Sequence, residues 1–334
     1  MKKLDHILSP TQLKNLETCS IPDFIPLMKA TLTEDYFDDP QWIYERKLDG
    51  IRCEVVIKQG EVALYSRNKN SLTKDYPNIV DSLKKRNHPN MVLDGEVVAF
   101  EGNKTSFSKL QARKQLAPGK APVTIFIYLF DILYYEPYLL NKIPLRTRKT
   151  ILKKMMEWND PIRLTPYRNE KGILYLTQAC EKGWEGLIAK NAKSEYTASR
   201  SKNWLKFKCS HQQELVIGGF TEPQGERDGF GALLVGYFKN GKLHYAGKVG
   251  TGFDNAFLKK WRSNFDKIIR EESPFVNFHK TKGSENHWIE PKYVGQFGFT
   301  EWTKTNKLRH PRFLGMRMDK DASEVVKESP KKIK

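Results

Sequence analysis

The sequence predicts an α+β fold in two domains, the first mixing strands and helices and the second a small Greek-key barrel. Three observations carry this. Strand-like runs alternate with helical stretches up to about residue 210, and after Glu214 the texture shifts to short strands punctuated by glycine. The 334 residues are 39% hydrophobic and 12% aromatic, enough to bury two cores.

Taken in chain order, "WIYERKL", "RCEVVIK" and "EVALYSR" read as strands, the last two joined by a Gln59-Gly60 hairpin turn. "VLDGEVVAF" (Val92–Phe100) and "VTIFIYLFDILYY" (Val123–Tyr135) are further strands, the second apolar enough to be buried on both faces. "RKTILKKMMEW" and "LYLTQACEKG" are helical, the latter stopped by Gly183. After Glu214, "ELVIGGF", "GALLVGYF", "KLHYAGKVG" and "YVGQFGFTEWT" are short strands. One helix interrupts them from Asp254 onward, with Phe257, Trp261, Phe265 and Ile268 as its core stripe. Short strands with glycine turns and one helix suit an oligonucleotide-binding (OB) barrel. The expected boundaries are residues 1–211 for the first domain, 212–320 for the barrel and 321–334 for a solvated helix or frayed basic tail.

The formal charge of +18, from 57 Lys and Arg against 39 Asp and Glu, points to a polyanionic partner. The four cysteines, Cys19, Cys53, Cys180 and Cys209, are scattered without a C-x-x-C pair or zinc-finger spacing, so reduced thiols in an intracellular compartment are the default expectation. No segment approaches the ~18 uninterrupted apolar residues of a membrane span, and a soluble, unexported protein is expected.

No glycine-rich phosphate loop, dinucleotide fingerprint or H-E-x-x-H motif occurs, so any phosphate chemistry must come from side chains. "YERKLDGIRCEV" (Tyr44–Val55) places Lys47, Asp49 and Arg52 at a strand end and turn. Strand alternation points Lys47 and Asp49 the same way, and Gly50 is expected to turn the chain so that Arg52 comes back toward them. Free lysine titrates near ~10.4. A nucleophilic Lys47 therefore calls for a depression of about 2–3 units, for which partial burial and neighbouring cations such as Lys190, Lys206 and Lys208 are the expected sources. Alone, K-x-D-G reads as a solvated charged hairpin.

An ordered set reverses that reading. K-x-D-G-x-R at Lys47–Arg52 is followed by S-R-N at Ser66–Asn68, L-D-G-E at Leu93–Glu96 and "LFDIL" at Leu129–Leu133. E-G-L-I-A-K at Glu185–Lys190 and W-L-K-F-K at Trp204–Lys208 complete it. The set resembles the nucleotidyltransferase superfamily of ATP-dependent DNA ligases. The stretches "GFGALLVGYF", "YAGKVGTGF" and "FTEWTKTNKLRHPRFLGMRMDK" look most like the ligase domain of the bacterial and archaeal end-joining ligase D. The resemblance implies a nucleotidyltransferase (adenylation) domain of antiparallel sheets with flanking helices, followed by an OB-fold β-barrel.

Carried over motif by motif, the resemblance implies that Lys47 attacks the α-phosphorus of ATP and holds AMP, while Asp49 and Arg52 orient the nick. The backbone around Glu45 would meet the adenine edge, Phe130 would stack on the ring, and Arg67 and Glu96 would contact the ribose. Glu185 and Glu96 would bind Mg²⁺, or Mn²⁺ in its place, as hard cations prefer carboxylate oxygen. Lys190, Arg200, Lys206 and Lys208 would neutralise phosphate charge. Arg317, Asp319 and Lys320, in the basic run "KLRHPRFLGMRMDK", would orient pyrophosphate during self-adenylation, after which the barrel is expected to swing away and grip the duplex. Competing structural roles are a hairpin carboxylate for Glu96, core packing for Phe130, a loop cation for Arg200 and a salt bridge for Arg148.

The chain departs from the pattern at Lys69, where relatives often carry glycine after S-R-N, so a differently shaped ribose-side loop is expected. Fewer than fifty residues precede Lys47, so the large N-terminal DNA-binding domain of archaeal and eukaryotic replicative ligases is not expected. The implied partners are nicked or broken duplex DNA, a Ku-like end-binding protein and a separate repair polymerase. The implied setting is a monomer at the nucleoid in prokaryotic cytoplasm. An RNA ligase, or an idle nucleic-acid-binding protein, is the alternative.

Overall fold

The computed structural model describes residues 4–86, 88–112, 123–209, 212–223, 225, 228–279 and 285–328. Two compact units divide the chain, one containing Met1–Ser210 and the other His211–Ser329. Residues 210 and 211, where a joint is expected, lie outside the described residues, as do tail residues 329–334.

In the first unit the strands are β1 (Glu17–Thr18), β2 (Lys29–Leu32), β3 (Trp42–Arg46), β4 (Ile51–Lys58), β5 (Glu61–Ser66), β6 (Met91–Glu101) and β7 (Lys104–Thr105). They continue with β8 (Ile125–Tyr135), β9 (Tyr138–Leu139), β10 (Ile162–Leu164), β11 (Tyr167–Arg168), β12 (Gly186–Asn191) and β13 (Arg200–Lys208). The helices are α1 (Pro10–Lys14), α2 (Pro77–Lys84), α3 (Phe107–Ala112), α4 (Leu145–Met155) and α5 (Gly172–Glu181). One sheet runs β1-β9-β8-β6-β4-β5, with β10 beside β8 and β7 beside β6; the other runs β11-β3-β12-β13-β2. Pairing is antiparallel, as expected, apart from the short parallel additions of β10 on β8 and β2 on β13.

The β4–β5 hairpin turns where expected, with Gln59 and Gly60 both left-handed (φ 52° and 80°). β8 is buried along most of its length, as its unbroken apolar run requires. A large core lies around β4, β6, β8, α2 and α4. A smaller cluster of Leu27, Met28, Val56, Val92, Phe130, Leu133, Tyr134, Tyr196 and Trp204 draws side chains from both sheets. This cluster is the floor on which the polar residues below are set.

Cys180, at the end of α5, and Cys209, one residue past β13, form a disulfide with Cα atoms 5.1 Å apart. This corrects the expectation of four reduced thiols: the fold brings together residues separated by 29 positions. Among the described residues, no helix is long and apolar enough to cross a membrane.

The second unit contains β14 (Gln212–Thr221), β15 (Leu233–Lys239), β16 (Lys242–Val249), α6 (Asn255–Asp266), β17 (Ile269–Arg270), β18 (Asn286–Gly298), β19 (Glu301–Trp302), β20 (Leu308–Arg309) and β21 (Arg312–Met316). The main sheet is ordered β16-β15-β14-β18-β17, with β21 also on β18. Phe313 N donates to Thr251 O at 2.9 Å, so the β21 edge curls back to the segment after β16. Asp254 caps α6 by accepting from Phe257 N at 2.7 Å. Leu258, Trp261 and Phe265 form its buried stripe, with Phe257 and Ile268 partly buried against the same core.

Within the segment after Lys320, the described residues 321–328 are anchored to the barrel rather than frayed as expected. Ala322 and Val325 are buried in the barrel core, and Phe238 N donates to Val325 O at 2.7 Å. The Gln213 amide donates to Val326 O and accepts from Glu328 N, both at 2.8 Å. Hydrophobic anchoring and backbone pairing thus hold residues 321–328 on the barrel, while the basic residues that follow lie outside the described residues.

Candidate active site

Lys47 follows β3 directly, and its backbone N–H donates to Gly186 O at 2.9 Å, locking it beside the start of β12. Its Nζ lies 2.5 Å from Glu185 Oε1. The ion partner of Lys47 is therefore a carboxylate, while Lys190 is ion-paired with Glu45. Glu185 Oε2 is buried and has no hydrogen-bond partner. Gly186 is required here, since with φ at 143° a Cβ would meet Phe207 O at 1.9 Å.

Asp49 and Arg52 do not converge on Lys47. The Asp49 backbone N–H donates to Thr105 Oγ1 at 3.0 Å and its carboxylate accepts from Phe107 N at 3.4 Å, which ties the loop to the β7–α3 connection. Gly50 is needed for a close approach, not a left-handed turn: a Cβ would sit 2.2 Å from Val97 O on β6. Arg52 points to Asp94, donating from Nε to Oδ1 at 2.5 Å and from Nη2 to Oδ2 at 2.6 Å. Tyr196 donates its hydroxyl to the same carboxylate at 2.7 Å and accepts from Met28 N at 3.0 Å. The Arg52 guanidinium lies 4.7 Å from the Phe130 ring centroid and 5.5 Å from that of Trp204.

The second charged knot is buried between the sheets. Glu45 on β3 is ion-paired with Lys149 of α4 and with Lys190 of β12, the latter at 2.7 Å, and all three are buried. Lys149 also donates to Phe130 O at 3.0 Å. Lys190 Nζ lies 4.0 Å from the ring centroids of both Phe130 and Trp204. Burial pushes the Lys190 ammonium down to about 8, against the opposing pull of Glu45, with Lys149 adding to the depression. Burial likewise pushes Glu54, on the adjacent stretch of β4, up to about 8 although it accepts from Ile25 N.

Phe130 is buried and packs edge to face with Trp204, as the competing core role expects. Glu96 faces Arg52 and Tyr128 in register on β6. Arg67 follows β5 in a turn closed by Lys69 N to Ser66 O at 2.9 Å. Lys69 takes φ 62°, so lysine adopts the left-handed conformation that glycine favours and the turn is kept. Lys206 and Lys208 lie on β13, opposite Ile188 and Gly186 of β12. Arg200, at the exposed start of β13, donates to Ala30 O at 2.9 Å, away from the Lys47 pair.

Arg148 is fully buried and forks onto Asp131 at 2.8 and 2.9 Å, which makes it a structural salt bridge. In the second unit Arg317 forks onto Asp319 at 2.9 and 2.8 Å, and Lys320 Nζ is 3.0 Å from Glu214. Burial alone would raise the Asp319 carboxyl, but Arg317 and Lys320 outweigh it and hold it below the usual range.

Asp94, Lys149 and Tyr196 were missed as positioning residues. Asp94 stands inside L-D-G-E and Lys149 beside Arg148, but only contacts between elements distant in sequence reveal what they hold. Among the described residues there is no cluster of three or more His, Cys, Asp or Glu. A divalent cation would therefore need phosphate or water oxygens beside Glu185, whose orphaned Oε2 suits a hard ion.

Residues 27–208 match the family described as ATP dependent DNA ligase domain, and residues 226–320 match the ATP dependent DNA ligase C terminal region. The multifunctional non-homologous end joining protein LigD of Pseudomonas aeruginosa is 34% identical over 317 residues, covering 93% of this chain but 37% of the relative. A DNA ligase of Methanocorpusculum labreanum is 30% identical, covering 84% of this chain and 52% of its own length. The chain thus spans only part of these relatives. A solved mycobacterial DNA ligase D complexed with ATP and MES superposes with a TM-score of 0.65 at 30% identity, covering 91% of this chain and 98% of that one. The two units are accordingly a nucleotidyltransferase domain and an OB-fold domain, and the chain belongs to the family of ATP-dependent DNA ligases.

Proposed function

We propose that this chain seals 5′-phosphate/3′-hydroxyl breaks in duplex DNA through a lysyl-AMP intermediate, in repair by end joining. The observation that carries the reading is the Lys47–Glu185 pair at 2.5 Å, in the same unit as the buried Lys190 that lies over Phe130 and Trp204.

Lys47 Nζ, once deprotonated, attacks the α-phosphorus of ATP; a P–N bond forms and the bond to pyrophosphate breaks. Glu185 Oε1 is within reach of the departing proton. Mg²⁺ or Mn²⁺, held by Glu185 and Glu96, would supply charge neutralisation on the phosphates. Phe130 and the backbone near Glu45 receive the adenine, and Arg67 and Glu96 the ribose. Arg52, Lys190, Arg200, Lys206 and Lys208 offset phosphate charge. Arg317, Asp319 and Lys320 serve the leaving pyrophosphate. AMP then passes to the 5′-phosphate at the break, oriented by Asp49 and Arg52, and the 3′-hydroxyl attacks that phosphate and expels AMP.

The similarity to multifunctional non-homologous end joining proteins supports the end-joining setting. A Ku-like end-binding protein, a separate polymerase, monomeric action and a place at the nucleoid in the cytoplasm belong to the same proposal. The test is a sealing assay on nicked, cohesive and blunt duplexes with DNA or RNA on the 3′ side, with ATP and Mg²⁺. ATP-dependent sealing of DNA nicks is expected. Sealing of RNA alone would favour an RNA ligase, and no sealing with intact duplex binding would favour an idle DNA-binding protein.

A further inference from the structure

Glu214 lies on β14, the strand that opens the OB unit, and its side chain is 30% exposed. Arg317 is held from behind: its backbone N–H donates to Val294 O at 2.7 Å, while Nε and Nη2 fork onto Asp319. That leaves Nη1 directed to the Glu214 side, 3.6 Å from Oε1. Lys320 Nζ approaches the same Oε1 at 3.0 Å. Two cationic donors from the R-M-D-K segment thus converge on one carboxylate oxygen, the arrangement a phosphate oxygen would meet if it stood there.

We propose that Glu214 is an internal counter-anion for Arg317 and Lys320, a positioning residue that keeps both cations aimed at one point and is displaced when an ATP phosphate oxygen takes that point. This deepens, and rests on, the reading that Arg317 and Lys320 serve the phosphates of ATP during self-adenylation. The carboxylate competes with the nucleotide for the same donors, so it raises the ATP concentration needed for the first step. The third step uses no ATP phosphate and is indifferent to it. Asp319 cannot play this part, because its two oxygens are committed to the arginine fork and it is buried.

The test compares Glu214→Gln, which keeps shape and removes charge, with wild type in two assays: lysyl-AMP formation against ATP concentration, and sealing of a pre-adenylated nick without ATP. The expected result is a KM for ATP lower by about two- to fivefold, the size of a released, partly exposed ion pair, with kcat and pre-adenylated sealing unchanged. Glu214→Asp, which retracts the charge by one methylene, is expected to fall between the two and serves if the glutamine variant does not fold. A KM that is unchanged or raised in the folded variants overturns the proposal. If Lys320→Ala forms lysyl-AMP with wild-type kinetics, the underlying reading of the R-M-D-K segment fails instead, whatever Glu214 does.

Discussion

Asp94→Asn is the sharpest structural perturbation of the site. The Asp94 carboxylate is fully buried and accepts three hydrogen bonds, at 2.5 and 2.6 Å from Arg52 and 2.7 Å from Tyr196. An asparagine keeps one acceptor oxygen, turns an NH₂ toward the guanidinium and leaves Arg52 without its counter-charge. Breaking a buried pair by removing one partner costs about 3–5 kcal/mol, and the retained acceptor offsets part of this. A loss of about 3 kcal/mol is therefore expected, a large share of a typical stability of ~5–15 kcal/mol yet compatible with folding. Arg52 is also released from its place over Phe130 and Trp204, so the sealing rate should fall at least roughly tenfold, the equivalent of ~1.4 kcal/mol. Urea unfolding followed by circular dichroism gives the first quantity and single-turnover sealing the second. Tyr196→Phe, which deletes one of the three bonds, should cost only about 1–2 kcal/mol. A fully stable, fully active Asp94→Asn would refute the argument that this carboxylate holds Arg52.

Three further outcomes follow from the same geometry. Glu54, raised from 4.5 to about 8 by burial, holds its proton more tightly folded than unfolded. The contribution of Glu54 to stability should therefore be greatest below pH 4.5 and be lost as pH rises to about 8, so Glu54→Gln should gain about 2 kcal/mol at pH 8 relative to wild type and nothing at pH 4; an equal difference at both pH values in chemical denaturation would sink the assignment. Lys190, depressed to about 8, sheds its charge as pH rises through that value, so ATP affinity measured by calorimetry should weaken there in wild type and stay level in Lys190→Met. The Cys180–Cys209 link closes a 29-residue separation, and its reduction, or Cys180→Ser, should lower stability by about 3 kcal/mol in a thermal melt; identical melting with and without reductant would count against the link.

What was legible in the sequence was local. The Gln59-Gly60 hairpin, the doubly buried β8 and the α6 stripe follow from turn chemistry and periodicity within a dozen residues. The site strands were legible because the motifs that mark them stand in a fixed order. What escaped was pairing across the fold. Arg52 was expected beside Lys47 and Asp49, but the β4–β6 register sets it opposite Glu96, from where its guanidinium reaches diagonally to Asp94. Glu45 meets Lys149 and Lys190 only because β3 and β12 are neighbours and α4 lies near them, which no spacing announces. The parallel placement of β2 on β13 and the Cys180–Cys209 link are non-local in the same way. At Lys69 a lysine holds a left-handed turn, closed by its N–H to Ser66 O, which residue type alone does not announce.

The central claim is that Lys47 carries AMP, and the most direct measurement is to incubate the protein with α-labelled ATP and Mg²⁺, digest it and locate the label. The account predicts label on the peptide containing Lys47, released by nicked DNA and absent from Lys47→Ala. Label that persists in Lys47→Ala, or wild-type protein that takes up none, would contradict it.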